Sequence, residues 1–382
     1  MGQLGFERSD IPREAFRRPK SAGTLTSKGL GLRWRILGSR TMQPNNNLEP
    51  IAPAEAKEMY TEQRKEEASK STIQAHHYRL KHFVRWCEDV EDINNLNTIT
   101  GRDLQRYKMW RREDSDLNNV TMVTQLSTLR VFIRWCEKID AVASGTHDNI
   151  LIPSLAKNED RRTASIDKGA ATRLINYLRK FEFSTRTHAL IELLWHTGMR
   201  IGAAHSLDLE DYDRDEQYVE LHHRPDTGTR LKNKTDGERY VSLSAEVCDA
   251  LDGYIKYNRD NATDEYGREP LFTSRNGRVG KSSPRDSIYR ITRPCQYTGD
   301  CPHDREIDSC EAMQKDKASK CPSSVSPHAI RRGSITYHLS EDVPDKVVSD
   351  RMNVSLNVLE KHYDRRTEQE KADQRRDYLD SI

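Results

Sequence analysis

The chain has 382 residues, 35% hydrophobic and 32% charged, with a formal net charge of +2 and a mean hydropathy of −0.89. That length allows two buried cores, and no apolar run reaches the roughly 18 residues of a membrane helix, which excludes a spanning segment. Nine Lys/Arg stand against three Asp/Glu in the first 42 residues, an excess of six that leaves the remainder at −4, so any basic surface is local and net charge names no partner.

In chain order, residues 1–51 carry Gly, Ser, Pro, Arg and Asn without sustained periodicity, which predicts a disordered basic extension; Met42 offers an alternative start. No signal-peptide apolar region is present, so a cytoplasmic location is expected. Residues 52–142 turn helical: Ile73, Tyr78, Leu80, Phe83, Val84 and Cys87 recur at three- and four-residue steps. Thr100 with Asp103 reads as a capping box ahead of Leu104, Tyr107 and Met109. Two octads 49 residues apart resemble each other, Phe83-Val84-Arg85-Trp86-Cys87-Glu88-Asp89-Val90 and Phe132-Ile133-Arg134-Trp135-Cys136-Glu137-Lys138-Ile139. Their Phe, Trp and Cys read as filling one core; Arg85 and Arg134, off the apolar stripe, are compatible with contact to phosphates.

Residues 143–162 are polar, with Gly145 and Pro153, and read as a linker. Residues 163–382 form the second predicted domain. Asp167 can cap a helix carrying Ala170, Leu174, Ile175 and Leu178; another runs from Ala189 to Trp195 and can end at Gly198. Tyr218–Leu221 and Tyr240–Leu243 alternate like strands around a polar segment. The rest reads mainly helical, apart from a Cys-rich insertion at 295–321 and a charged tail after Tyr363. The expected class is mainly α with a small β-sheet.

Four short stretches carry chemistry. His196-Thr197-Gly198-Met199-Arg200 is a glycine turn that aims an arginine from the start of a helix. Lys232-Asn233-Lys234-Thr235-Asp236-Gly237-Glu238-Arg239 places lysines near the tip of a hairpin. In Ser326-Pro327-His328-Ala329-Ile330-Arg331, proline suits the first helical turn, and His328 and Arg331 at i,i+3 share a face able to converge on one anion. Asn353 precedes Tyr363 by ten residues, and Tyr363 follows Arg331 by 32. Alone, each admits a bland reading as surface charge or helix-end packing.

Together, in this order and spacing, the four stretches resemble the signature of the tyrosine recombinase family, which includes phage integrases and Xer-type recombinases, over roughly residues 55–370. The resemblance implies a helical, SAM-like core-binding domain and a mixed α/β catalytic domain forming a C-shaped clamp on double-stranded DNA. It implies Tyr363 as nucleophile, Arg200 and Arg331 as phosphate clamps, Lys234 as proton donor to the leaving 5′ oxygen (Lys232 is the other register), and His328 as proton acceptor or phosphate donor. A homotetramer on paired sites, with the tail packing on a neighbour, follows from the same resemblance, as does a 3′-phosphotyrosyl intermediate that needs neither nucleotide cofactor nor catalytic metal. Asn353 departs from the family, which usually has His or Trp there: asparagine can donate a hydrogen bond but cannot act as an acid. Two rival readings stay open, a type IB topoisomerase using the same chemistry and a catalytically weakened DNA-binding protein retaining the fold.

Cys295, Cys301, Cys310 and Cys321 fall within 27 residues, with His303 between them. Without a secretory signal, metal is the better default for such a cluster than disulfides. Four thiolates would complete a closed, structural zinc site with His303 in reserve. The spacings are not those of a standard zinc finger, so free or redox-paired cysteines are the other reading. Cys87, Cys136 and Cys248 read as buried thiols.

Overall fold

A computed structural model of the chain describes residues 48–156, 159, 164–341 and 343–363, with 368, 369, 372, 373 and 376. Of the extension expected to be disordered, 1–51, residues 1–47 lie outside these, as do part of the linker and most of the tail with its packing on a neighbour. In the described part the Glu49 amide donates to the Asp140 carbonyl at 2.9 Å and the Ile51 carbonyl accepts from Leu96 at 3.0 Å. The chain divides into two units at Lys157/Asn158.

The first unit is helical because its polar residues sit at helix starts and its apolar ones recur on one face. Its helices are α1 (Pro53–Gln63), α2 (Lys70–Arg85), α3 (Gly101–Ser115) and α4 (Asn119–Lys138). Ser69 caps α2, Asn118 caps α4, and Thr100 with Asp103 closes the capping box of α3. Both octads feed one core: Phe83, Trp86, Cys87, Phe132 and Cys136 are wholly buried. Tyr60 meets Phe132 edge-on at 5.4 Å and Phe83 meets Tyr107 at 5.3 Å, arrangements that add to plain burial. The octads differ in backbone, since the first breaks into a π-helical turn at Trp86–Val90 while the second stays within α4. Arg85 pairs within the unit, 2.6 Å from Asp114 and over the Trp110 ring; both Arg85 and Arg134 are exposed. Burial pushes the thiols of Cys87 and Cys136 upward, as inert structural cysteines require.

The second unit is built around α6 (Arg186–Thr197), capped by Thr185 and nearly all buried. Before it comes α5 (Lys168–Phe181), capped by Asp167, and after it the short α7 (Ile201–Ser206). Strands β1 (Tyr212–Asp213), β2 (Tyr218–Leu221) and β3 (Arg239–Ser242) make an antiparallel sheet in which Val219 pairs with Val241. Period-2 alternation turns Val219, Leu221 and Val241 inward. Then come α8 (Ala245–Tyr257), a two-stranded ribbon of β4 (Thr273–Ser274) and β5 (Gly277–Arg278), α9 (Ser282–Ile291) and α10 (Pro294–Thr298). Helices α11 (Pro327–Ser340), α12 (Asp345–Met352) and α13 (Leu356–His362) close the unit, and α8 and α11 pack on α6. Among the described residues, no helix is long and apolar enough to cross a membrane.

Candidate active site

Ser326 caps α11 by accepting the Ala329 amide at 3.2 Å, and Pro327 occupies the first turn, where its missing N–H costs nothing. Arg331 follows one turn later, 2% exposed. Its Nη1 donates to the carbonyls of Gly198 at 2.6 Å and Met352 at 2.8 Å, and its Nη2 reaches the Asn353 carbonyl at 3.5 Å. Gly198 ends α6 at φ +58, and a Cβ there would come within 2.6 Å of the Met352 sulfur. Backbone conformation and packing therefore both demand glycine. The turn delivers Arg200 to the start of α7, from where its Nη1 donates to the Asn353 carbonyl at 3.0 Å and to Asn353 Oδ1 at 3.3 Å.

Tyr363 follows α13, 6% exposed, packed with Ile335, Leu339, Met352 and Leu359. It lies against the two guanidiniums. Burial pushes Arg331 down to about 10 and the Arg200 charge adds to that, while the charge and hydrogen bond of Tyr363 oppose it. Burial likewise lowers Arg200, opposed by Tyr363. At neutral pH both remain cations.

Two further arginines join this cluster. Arg239 donates from Nε to the Arg351 carbonyl at 2.9 Å and from Nη1 to the Gly237 carbonyl at 2.8 Å. Burial pushes it down to about 10, helped by Arg331, Arg200 and Arg351. Arg351 donates to the His196 carbonyl at 3.2 Å. Apart from Tyr363 beside Arg331, the hydrogen-bond partners of all four are backbone carbonyls and the Asn353 amide, and among the described residues none has a carboxylate in ion-pair range. Buried charges are normally paired; one buried and three half-buried guanidiniums without a carboxylate make a cluster suited to an incoming anion. In the sequence Arg239 is only the last residue of the lysine-bearing stretch. The available signal was alternation: Arg239 shares the inward face of β3 with Val241, an unusual position for a charge.

The structure thus brings Arg200, Arg331, Asn353 and Tyr363 together. Lys234 opens an exposed 3-10 turn, Lys234–Gly237, on the long connection between β2 and β3. The turn is tied to Asn353 through its neighbours: Asn233 Nδ2 donates to Asn353 Oδ1, and Asn353 Nδ2 donates to the Asp236 carbonyl at 2.7 Å. His328 is exposed on the first turn of α11, one turn before Arg331, and His362 is half-buried at the end of α13.

The insertion offers little core of its own beyond Ala312, Ala318 and Cys321. Its four cysteines are free thiols, and His303 shares a hydrogen bond with Ser323 at 2.9 Å. Burial pushes the Cys295 thiol up; Arg293 opposes, and Cys321, Cys301 and Cys310 add to the rise. Among the described residues, no group of three or more His, Cys, Asp or Glu is gathered closely enough to hold a metal.

The family model for the phage integrase family matches residues 165–370, and that for the phage integrase N-terminal SAM-like domain matches residues 60–138. The tyrosine recombinase XerC of Neisseria meningitidis serogroup B is 24% identical over 241 residues, 63% of this chain and 73% of that protein. XerC of Corynebacterium efficiens is 24% identical over 190 residues, 49% of this chain and 55% of that protein's own length. A probable integrase/recombinase protein of Methanocaldococcus jannaschii is 22% identical over 296 residues, 76% of this chain and 79% of its own. In fold, the chain resembles the Tn1549 transposon integrase in complex with a circular intermediate DNA, with a TM-score of 0.60 and 15% identity over 84% of this chain and 98% of that one. It also resembles a lambda integrase dimer bound to a COC′ core site, with a TM-score of 0.57 and 12% identity over 86% and 83%.

Proposed function

Since the chain belongs to the phage integrase family, we propose that it is a site-specific recombinase that cleaves and rejoins double-stranded DNA through Tyr363. The observation that carries this reading is a tyrosine set against two carboxylate-free guanidiniums, Arg200 and Arg331. Attack on a phosphodiester adds negative charge to non-bridging oxygens. Fixed cations where that charge develops are usually the largest catalytic contribution, and a planar guanidinium can hold two oxygens at once.

In the cleavage step the Tyr363 oxygen bonds to phosphorus and the bond from phosphorus to the 5′ oxygen breaks. The tyrosyl proton passes to His328 or water, and Lys234 protonates the departing oxygen. The phosphotyrosyl ester retains the energy of the broken bond, so a 5′ hydroxyl can reverse the step. This scheme requires no nucleotide cofactor. Related recombinases in the matched structures are seen with DNA, which supports duplex DNA as the substrate here; a homotetramer on paired sites is the assembly we propose for strand exchange.

The test is a nicked suicide duplex carrying the cognate site, whose cleaved end diffuses away. The wild-type protein should become covalently attached at Tyr363, and Tyr363→Phe should bind the duplex yet form no adduct. An adduct on another residue, or equal adduct in both proteins, discards the reading. A chain that relaxes supercoils but never exchanges two sites would be a topoisomerase instead.

The four cysteines of the insertion we assign to a structural zinc site, on the strength of their donor set and the small core around them. The metal would brace the segment leading into α11 and take no part in the chemistry. Protein purified without chelator should carry one zinc per chain, and its removal should expose four reactive thiols. Metal-free protein with all four thiols reactive from the outset refutes the assignment.

A further inference from the structure

Asn353 occupies an unusual place. It ends α12 in the left-handed region, at φ +49 and ψ 64, a conformation asparagine tolerates better than most residues. Its carbonyl faces both Arg200 and Arg331. Its side chain does different work: Oδ1 accepts from Arg200 and from Asn233, and Nδ2 donates to the Asp236 carbonyl at 2.7 Å. An amide oxygen has two lone pairs and the nitrogen two donors, so three of its four positions are engaged. Both loop partners flank Lys234. A second tie joins the same two segments, since Arg239 bridges the Gly237 carbonyl at the end of the turn to the Arg351 carbonyl on α12.

Lys234 itself sits at φ +54. A non-glycine residue in that region is costly, and it persists only where surrounding contacts over-determine it. The contacts that hold this turn run to Asn353 and to the neighbouring Arg351. We infer that Asn353 is a positioning residue: it holds the Lys234 turn in register with the arginine pocket, so that its contribution to cleavage is made through Lys234 and not by contact with the phosphate. The inference rests on the recombinase reading above and on Lys234 as the acid there. It also gives the asparagine, where the family usually has His or Trp, a role of its own.

The consequence is specific to the leaving group. Displacement by an ordinary 5′ oxygen needs a proton delivered to it as the bond to phosphorus breaks. A 5′ sulfur in the same bridging position leaves as a thiolate and needs none. A defect that acts through the acid therefore disappears with sulfur, whereas a lost contact to the non-bridging oxygens persists with both. Misplacing a catalytic group by an ångström can cost about 100-fold, which sets the scale for the oxygen substrate.

The experiment measures single-turnover adduct formation on matched suicide duplexes, one with a bridging 5′ oxygen and one with sulfur. Asn353→Gly suits it because glycine keeps the left-handed backbone while removing the amide. Lys234→Ala and the exposed-loop variant Asn233→Ala accompany it, each checked by its melting curve. Expected for Asn353→Gly is a loss of roughly 10- to 100-fold with oxygen, shrinking to within about threefold of wild type with sulfur. Lys234→Ala should follow the same pattern with a larger oxygen defect, and Asn233→Ala with a smaller one. Equal slowing of Asn353→Gly on both substrates would place its contribution at the phosphate, directly or through Arg200, and overturn the inference, as would full speed on both. Failure of sulfur to restore Lys234→Ala overturns it too, since there would be no acid to position. If Asn353→Gly does not fold, Asn233→Ala decides: restoration by sulfur supports the inference, and its lack ends it. In every case adduct formation by the wild-type protein reports separately on the recombinase reading.

Discussion

Arg331→Lys should slow single-turnover adduct formation by about 10²–10³ while leaving the protein folded and bound to DNA. The charge survives the exchange, but the geometry does not. Arg331 spans the Gly198 and Met352 carbonyls with one nitrogen and reaches Asn353 with another, so a planar fork ties two chain segments to α11 while facing Tyr363. A lysine presents one compact ammonium and cannot keep several fixed directions at once. Binding draws on many phosphate contacts, so losing one should change the salt dependence by at most about one unit of slope. The check is an adduct time course beside a salt titration of binding. A rate within threefold of wild type would remove Arg331 from the phosphate clamp, whereas a collapse of binding itself would move its role from the chemistry to the fold.

The second large effect is expected in stability. Asp208, 1% exposed, lies just beyond α7, eight residues after Arg200. Its carboxylate meets Arg278, Arg268 at 3.3 Å and Arg224 at 3.5 Å. Those arginines come from β5 and from two separate loops. Arg278 also donates to the carbonyls of His205 and Leu207, and Arg268 to that of Thr227. One carboxylate thus gathers three segments against the helix that Arg200 opens. Asp264 and Asp211 share the arginines, yet removing Asp208 leaves more positive charge than they can neutralise in a poorly hydrated place. Breaking a buried pair in this way costs about 3–5 kcal/mol, or a fall of roughly 6–20 °C in melting temperature for a unit of this size. Asp208→Ala followed by calorimetry measures it. A loss under about 1 kcal/mol would mean that the remaining carboxylates or water suffice.

These two positions differ in how readable they were. Arg331 announced itself, because a Pro-His-x-x-Arg run at a helix start needs only local rules to put His and Arg on one face. Asp208 belongs to none of the four motif stretches, and nothing in its neighbours reveals that its partner Arg278 lies 70 positions further on. The same divide runs through the first unit. The burial of Phe83, Trp86, Cys87, Phe132 and Cys136 follows from helical periodicity, yet the π-helical turn at Trp86–Val90 does not. Nor does the pairing of Arg85 with Asp114 and Trp110. Arg239 lies in between: its inward register on β3 was readable, but its ties to α12 were not.

The chain alone determined where helices start and stop, because Thr100 with Asp103, Asp167, Gly198 and Pro327 act on groups three or four residues away. It also determined which residues face a core and which family the ordered motifs resemble. Only the folded molecule decided where each charge finds its partners: that four arginines meet without a carboxylate among the described residues, and that Asn353 ties its amide to both Arg200 and the Lys234 turn. Hydrogen bonds and Coulomb forces act over a few ångströms of space regardless of separation along the chain, and partners 117 to 153 residues apart leave no periodic trace in the sequence.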